Sequence, residues 1–281
     1  SRAGWWSIYK LPRQYFTRFN VVIGDEAYQL TSKALISIMT KLHHAKYRFG
    51  FTGTLDGTQT HKWVLEGLFG DCEQVTKTDD LIKSGYLSKF RIKILLCKHA
   101  PQHFESYHDE IDYIVEHRGR NNIIKNLVKD IEGNTLVLFN YIEKHGEPLL
   151  ELINSNIDPE RKLFFVHGGT DVEDRESVRQ ITETENNAVI LASYGTFSTG
   201  INIKRLHNII FASPSKSRIR NLQSIGRVLR KGDGKDIATL YDIADDIGGQ
   251  NYTLRHLNER VNIYNDENFK YEVIKVNLRS S

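Results

Sequence analysis

The feature that most constrains the fold is an alternation of short apolar runs, rich in β-branched and aromatic residues, with amphipathic stretches of helical length. A run that is apolar at every position must bury both of its faces. A chain that returns to such runs through helices builds a parallel sheet covered by helices. In the first part of the chain, residues 21–23 read as a strand, 33–42 as a helix and 46–51 as the next strand, ending on Thr52-Gly53-Thr54. Helices around 61–68 and 79–86 follow, and the run 91–98 leads away from this first set. A second set opens with a long helical stretch from about 111 to 131, with Gly119 as a candidate interruption. Strands are expected at 136–139, 163–166, 189–192, 208–211 and 238–241, and helices at 147–154, 174–182 and 218–229. Four consecutive crossovers of this kind fit a doubly wound sheet, whose ligands sit at the carboxyl ends of the strands. With 281 residues, two domains are expected, 1–98 and 99–281, divided where Pro101 and mixed polar residues interrupt the pattern between about 98 and 108.

Composition removes several classes. No stretch approaches the roughly 18 consecutive apolar residues of a membrane helix, and no secretory signal is present. Cys72 and Cys97 cannot build a disulfide framework and lack zinc-ligand spacing, so a reducing compartment, the cytoplasm, is expected. Net charge is only +3, but Lys216, Arg218, Arg220, Arg227, Arg230, Lys231 and Lys235 crowd into one stretch with only two acids, Asp233 and Asp236. A basic run is usually a solvated face. Its meaning rests on what anionic ligand the neighbouring residues would hold.

Four segments could carry chemistry. Asp25 and Glu26 end the apolar strand 21–23, and a nucleotide hydrolase needs such a pair: one acid holds Mg²⁺ through water, the other activates the attacking water. Alone, an Asp-Glu after a strand is more often a turn or helix cap. Thr52 and Thr54 flank Gly53 at the next strand end, where hydroxyls can meet a neighbouring carboxylate or simply cap a helix. Residues 193–202 read as a hydroxyl- and glycine-rich loop suited to phosphate oxygens. In 223–230, Gln223, Arg227 and Arg230 stand four and three apart, so a continuous helix would project all three from one face. Leu222, Ile225 and Leu229 would anchor that helix to the sheet, and two arginines on one side would clamp a γ-phosphate.

In combination and order, these segments resemble the motifs of superfamily 2 helicases. Asp25-Glu26-Ala27-Tyr28 looks like motif II, Thr52-Gly53-Thr54 like motif III, 193–202 like motif V and 223–230 like motif VI. Residues 138–141 look like motif IV, and His167-Gly168 with Arg175 like the adjacent backbone-contacting segment. The stretches 6–12, 194–200 and 225–231 are similar to phage recombination and repair helicases of that superfamily, a resemblance that runs from about residue 5 to the C-terminus.

The resemblance implies two RecA-like parallel-sheet domains, the first incomplete, working with ATP and Mg²⁺ on DNA. Asp25 would hold Mg²⁺ through water and Glu26 would activate the hydrolytic water. Arg230 would be the arginine finger and Arg227 its partner. Gly200, Asn202 and Gln223 would lie near the nucleotide, and Tyr28, Thr52 and Thr54 would couple nucleotide state to movement. Asn140, His167, Arg175 and Thr196 would meet the nucleic-acid backbone. Unwinding or branch migration of recombination and fork intermediates is the implied activity, in the host cytoplasm for a phage-encoded chain. Other superfamily 2 translocases, such as a restriction motor or an RNA helicase, and a non-hydrolysing nucleic-acid-binding remnant remain open.

Two departures stand out. The family's motif II usually carries His where this chain has Tyr28. No Gly-x-x-x-x-Gly-Lys-Ser/Thr loop occurs in the 281 residues; Gly232-Asp233-Gly234-Lys235-Asp236 lacks the spacing and the hydroxyl and reads as a turn. The phosphate cradle is therefore expected upstream or on another polypeptide, and the 281 residues alone are expected to be inactive.

Overall fold

The structure, a computed structural model, describes residues 8–55, 58–200, 203–232 and 234–278, with the side chains of 198–200 excepted. The chain divides into two compact units, Ser1–Val75 and Thr76–Ser281.

In the first unit, helix α1 (Arg13–Phe16) leads to strand β1 (Val21–Gly24), a 3₁₀ turn (Ala27–Thr31), α2 (Lys33–Lys41), β2 (Tyr47–Gly50) and α3 (Gln59–Phe69). β1 and β2 pair in parallel, Val21 opposite Tyr47 and Ile23 opposite Phe49. Their inward face packs on a core that includes Phe16, Ala27, Leu30, Met39 and Leu65. Gly24 and Gly50 are required by this packing: a Cβ on Gly24 would meet Leu30 at 2.7 Å, and one on Gly50 would meet Phe69 at 3.0 Å. The other face is bare, with Ile23 67% and Phe49 49% exposed.

The second unit begins with α4 (Thr78–Lys83), β3 (Lys89–Lys98), α5 (Tyr107–Glu116) and α6 (Arg118–Asp130). It continues through β4 (Thr135–Phe139), a π turn (Ile142–Gly146), α7 (Glu147–Asn154), β5 (Leu163–Val166), α8 (Val172–Thr184) and β6 (Val189–Ser193). Then come α9 (Tyr194–Gly200), β7 (Asn208–Phe211), α10 (Arg218–Val228), β8 (Ile237–Asp246), α11 (Tyr252–Asp266) and β9 (Tyr271–Asn277). Seven parallel strands line up as β5-β6-β4-β7-β8-β3-β9. β4, β6 and β7 are buried at every position. Separate apolar clusters pack around Ile92, Leu138, Ile190 and Leu240, and around Val137, Leu191, Ile210 and Ile243. Each burial of this kind contributes roughly 1.5–3 kcal/mol.

Three expectations are corrected here. The run 91–98 does not close the first domain: β3 pairs with β8 along ten positions and with β9 along seven, so the division falls at Val75, not at 98. The helix expected over 111–131 breaks at His117 rather than Gly119. His117 takes extended backbone and its Nδ1 accepts from the Arg120 amide at 3.2 Å, an N-cap that starts α6 afresh. Residues 194–200, expected as a loop, form α9, because the Ser193 hydroxyl caps the Thr196 amide at 3.4 Å while Tyr194 and Phe197, one turn apart, are buried.

Candidate functional site

β1 delivers Asp25 and Glu26 at its carboxyl end, both exposed. The Phe51 amide donates to the Gly24 carbonyl and the Ala27 amide to the Phe51 carbonyl, which ties this end to the start of the Thr52-Gly53-Thr54 segment. Asp25 Oδ1 accepts from the Glu26 amide at 2.9 Å. Glu26 has φ 49° and ψ 50°, a left-handed conformation that costs a non-glycine residue about 1 kcal/mol or more and is typical of residues held for function. Among the described residues no three His, Cys, Asp or Glu side chains converge as a metal cage.

Thr52 Oγ1 donates to the Thr54 carbonyl at 2.9 Å, closing the turn on itself. The Tyr28 hydroxyl accepts from Gln29 Nε2 at 3.1 Å, and the Tyr28 carbonyl lies 3.0 Å from His61 Nε2. The turn after β1 is thereby fastened to α3, a contact not read from the sequence.

In the second unit, Ser217 caps α10 by accepting from the Arg220 amide. As expected, Ile225 and Leu229 are buried in the core on the sheet and Leu222 packs against it, while Asn221, Ser224 and Val228 are buried beside them. Gln223 and Arg227 do share a helical face. The Arg227 guanidinium donates to the Phe197 carbonyl and lies 5.1 Å from the Phe197 ring centre, which joins α10 to α9. Arg230 departs from the expectation: α10 ends at Val228, and Arg230 forms an isolated antiparallel bridge with Leu87. Its exit is fixed by Lys235, whose buried ammonium donates to the carbonyls of Val228, Arg230 (2.8 Å) and Lys204 (3.4 Å). A cation at a helix C-terminus satisfies carbonyls that the helix leaves open. Burial pushes Lys235 down to about 8. The signal for it, a lysine just after a glycine turn that follows a helix, was present but read only as a turn.

Asn140 ends β4, its amide donating to Ser213 Oγ at 3.1 Å and its Oδ1 accepting from Arg220 at 3.4 Å. His167, Thr170 and Arg175 come together after β5: the His167 amide donates to Thr170 Oγ1 at 3.0 Å, and Arg175 Nε to the Thr170 carbonyl at 2.9 Å. Thr196 points inward, 5% exposed, with its hydroxyl 2.9 Å from that of Ser193. Gly200 closes α9, and Asn202 lies outside the described residues.

Sequence reasoning missed the buried ionic clusters. Asp242 Oδ2 accepts from Arg260 Nε at 2.9 Å and from the Tyr264 hydroxyl at 2.8 Å, and its Oδ1 lies 2.8 Å from Arg260 Nη2 as an ion pair. Arg260 also donates to the Ser215 carbonyl at 3.1 Å, just before α10. Asp245 is shared by His99 and Arg120 at 2.9 and 2.8 Å. Asp242 and Asp245 are buried in β8 among Leu240, Ile243 and Ala244, the hint that the sequence carries.

A seven-stranded parallel sheet with an arginine-bearing helix entering β8 defines the class: an α/β domain of the RecA-like helicase type. Residues 119–232 match the helicase conserved C-terminal domain. The chain is 32% identical over 296 residues to the ATP-dependent DNA helicase UvsW of Enterobacteria phage T4, covering 98% of this chain and 58% of that protein. The crystal structure of T4 UvsW matches with a TM-score of 0.58 at 31% identity, over 98% of this chain and 57% of that one. The ATP-dependent Type ISP restriction-modification enzyme LlaBIII, solved bound to DNA, shares the fold with a TM-score of 0.67 at 17% identity, over 99% of this chain and 23% of that one. The chain belongs to the superfamily 2 helicases. It spans somewhat more than half the length of the phage T4 relative.

Proposed function

We propose that the chain is a portion of an ATP-dependent DNA helicase that remodels branched recombination and replication-fork intermediates. The observation that carries this reading is the joint presence of the Asp25-Glu26 pair and the Arg227/Arg230 pair in a chain 32% identical to the phage T4 helicase over 98% of its length. Asp25 orients the Mg²⁺ shell and Glu26 the attacking water. Arg227 and Arg230 meet the charge that develops on the γ-phosphate, with Gln223, Gly200 and Asn202 beside the nucleotide. Tyr28, Thr52 and Thr54 relay nucleotide state. Asn140, His167 and Arg175 hold the DNA backbone through contacts that are sequence-independent and salt-sensitive. Thr196 could join them only through its backbone, since its side chain is inward.

The domain assignment follows the same reading, with residues 1–75 as part of a first RecA-like domain and 76–281 as the second. The bare apolar face of β1 and β2 supports a covering segment, because parallel sheets are covered on both faces. We assign that role to the phosphate-loop segment, in cis or in trans. The 281 residues by themselves are then expected to show negligible turnover, in a protein that works in the cytoplasm.

The test joins or mixes this chain with a phosphate-loop segment and follows DNA-stimulated ATP hydrolysis, with four-way junctions and linear duplex compared as substrates. Arg230→Ala is expected to lower turnover by on the order of a thousandfold, the range of an arginine finger. Unchanged turnover would discard the clamp, and equal action on junction and linear duplex would discard the branched substrate.

A further inference from the structure

At the carboxyl ends of β3 and β8, the segments 101–104 and 247–252, with Glu110 and Arg255, line a cavity of about 500 Å³ that is open to solvent and includes none of the residues assigned above. Its size lies within the range of about 300–1,000 Å³ of ligand sites, and strand carboxyl ends are where such sheets bind ligands. Gln102, His103, Phe104, Gln250, Tyr252 and Arg255 line it.

The acids near this cavity are already committed. Glu110 accepts from the Tyr252 amide (2.8 Å), the Thr253 amide and hydroxyl (2.7 Å each) and Asn251 Nδ2 (3.0 Å). Asp246 is ion-paired with Lys98 and accepts from the Gly249 amide at 2.8 Å. Arg255, by contrast, is exposed, lies 5.7 Å from the Tyr252 ring centre, and pairs with no carboxylate among the described residues. Tyr252 stands edge-on to Tyr107 at 6.2 Å, and Tyr107 tilts against His256 at 5.1 Å. Burial, with Arg260 and Lys216 adding to it, pushes His256 down to about 4, so that this ring is neutral near pH 7. Tyr107 and His256 thus back Tyr252, the ring that lines the cavity.

Aromatic faces beside a guanidinium, with amides at the mouth and no free carboxylate, suit a flat heteroaromatic ring on a phosphate backbone. We propose that this cavity takes an unstacked base of a single nucleic-acid strand, with Tyr252 stacking on the base and Arg255 meeting the adjoining phosphate. Gln102, His103 and Gln250 face the base edge. The proposal rests on the helicase reading for the presence of nucleic acid, and adds base-stacking residues outside the backbone contacts.

The test is fluorescence anisotropy of the 281-residue chain at fixed salt with a labelled oligo-dT strand of about 15 nucleotides, near the upper site size of single-strand binders. An abasic strand of equal length provides the comparison. Tyr252→Leu keeps the apolar bulk and removes the ring; the Tyr252 amide keeps its bond to Glu110. It is expected to weaken oligo-dT binding about tenfold and leave the abasic strand unaffected, while Tyr252→Phe binds as wild type. Arg255→Ala is expected to weaken both strands. Thermal unfolding of each variant checks that the fold is retained. Equal oligo-dT affinity of wild type and Tyr252→Leu would overturn the proposal, as would a loss confined to Arg255→Ala, the pattern of a purely anionic ligand such as an acidic peptide. If Arg175→Ala weakens binding while Tyr252→Leu does not, the proposal falls and the helicase reading stands. If wild type binds neither strand, both fall.

Discussion

His145 shows how far one buried side chain can set the conditions under which the fold holds. It sits in the π turn after β4 with no exposure, its Nδ1 3.0 Å from Ser213 Oγ. Burial, and then the Arg120 charge, push its imidazole down to about 3. The unfolded chain protonates this ring near pH 6.5, so below that value the unfolded state binds the extra proton and the folded state does not. The stability is therefore fully present above pH 6.5 and is lost, by about 1.4 kcal/mol per pH unit, as pH falls toward 3. Between pH 6.5 and 5 the contribution is about 2 kcal/mol. Urea unfolding of wild type and His145→Asn at pH 7 and pH 5 reads it directly: the stability gap between them is expected to shrink by that amount at the lower pH. A gap that stays constant would show that His145 does not carry the effect. Since the Asn140 amide donates to the same Ser213 hydroxyl, acid would loosen the end of β4 that the proposed function places against DNA.

Among the elements, α11 is the one whose attachment the sequence conceals. Glu110, from α5, takes the first amides of α11 and the flanking polar groups on a single buried carboxylate, so one helix caps another. Glu110→Ala leaves those donors buried and unanswered, at an expected cost of about 2–3 kcal/mol. The loss is expected to appear as faster hydrogen exchange in the first turn of α11; unchanged protection there would show that the cap is unimportant. Glu110 is separated from its partners by more than 140 residues, and no local pattern announces such a pairing. By contrast β4, β6 and β7 were legible because strands buried on both faces must be apolar throughout. β9 was not: Tyr271–Asn277 mixes Glu and Lys with Val and Ile on an exposed edge. α9 was missed because its glycine and hydroxyls resemble a loop, although Ser193 with Tyr194 and Phe197 carried the cap and the buried face. At the candidate site, Asp25, Glu26 and Arg227 could be placed from strand ends and helical spacing. Arg230 could not, because the stop of α10 depends on Lys235 reaching back to its carbonyls.

At the scale of the whole molecule, the carboxylate pair and the arginine pair belong to different units. Pro101 and the polar residues after β3 mark a turn on the surface of the second unit, not its beginning. β3 stands between β8 and β9, and Ile92, Ile94, Leu95 and Cys97 on it are all buried. Four such side chains at roughly 2 kcal/mol each match the whole net stability of about 5–15 kcal/mol that a domain has. Their removal also strips β9 of its pairing partner and leaves β8 as a bare apolar edge. A polypeptide of residues 76–281 is therefore expected to fold by itself and unfold in one cooperative transition followed by circular dichroism. One of residues 99–281 is expected to aggregate or to melt without a transition. If the shorter polypeptide melts as cooperatively as the longer, β3 is dispensable and the boundary belongs near residue 98 after all. If neither folds, the second unit depends on residues 1–75, and the two units are one folding domain.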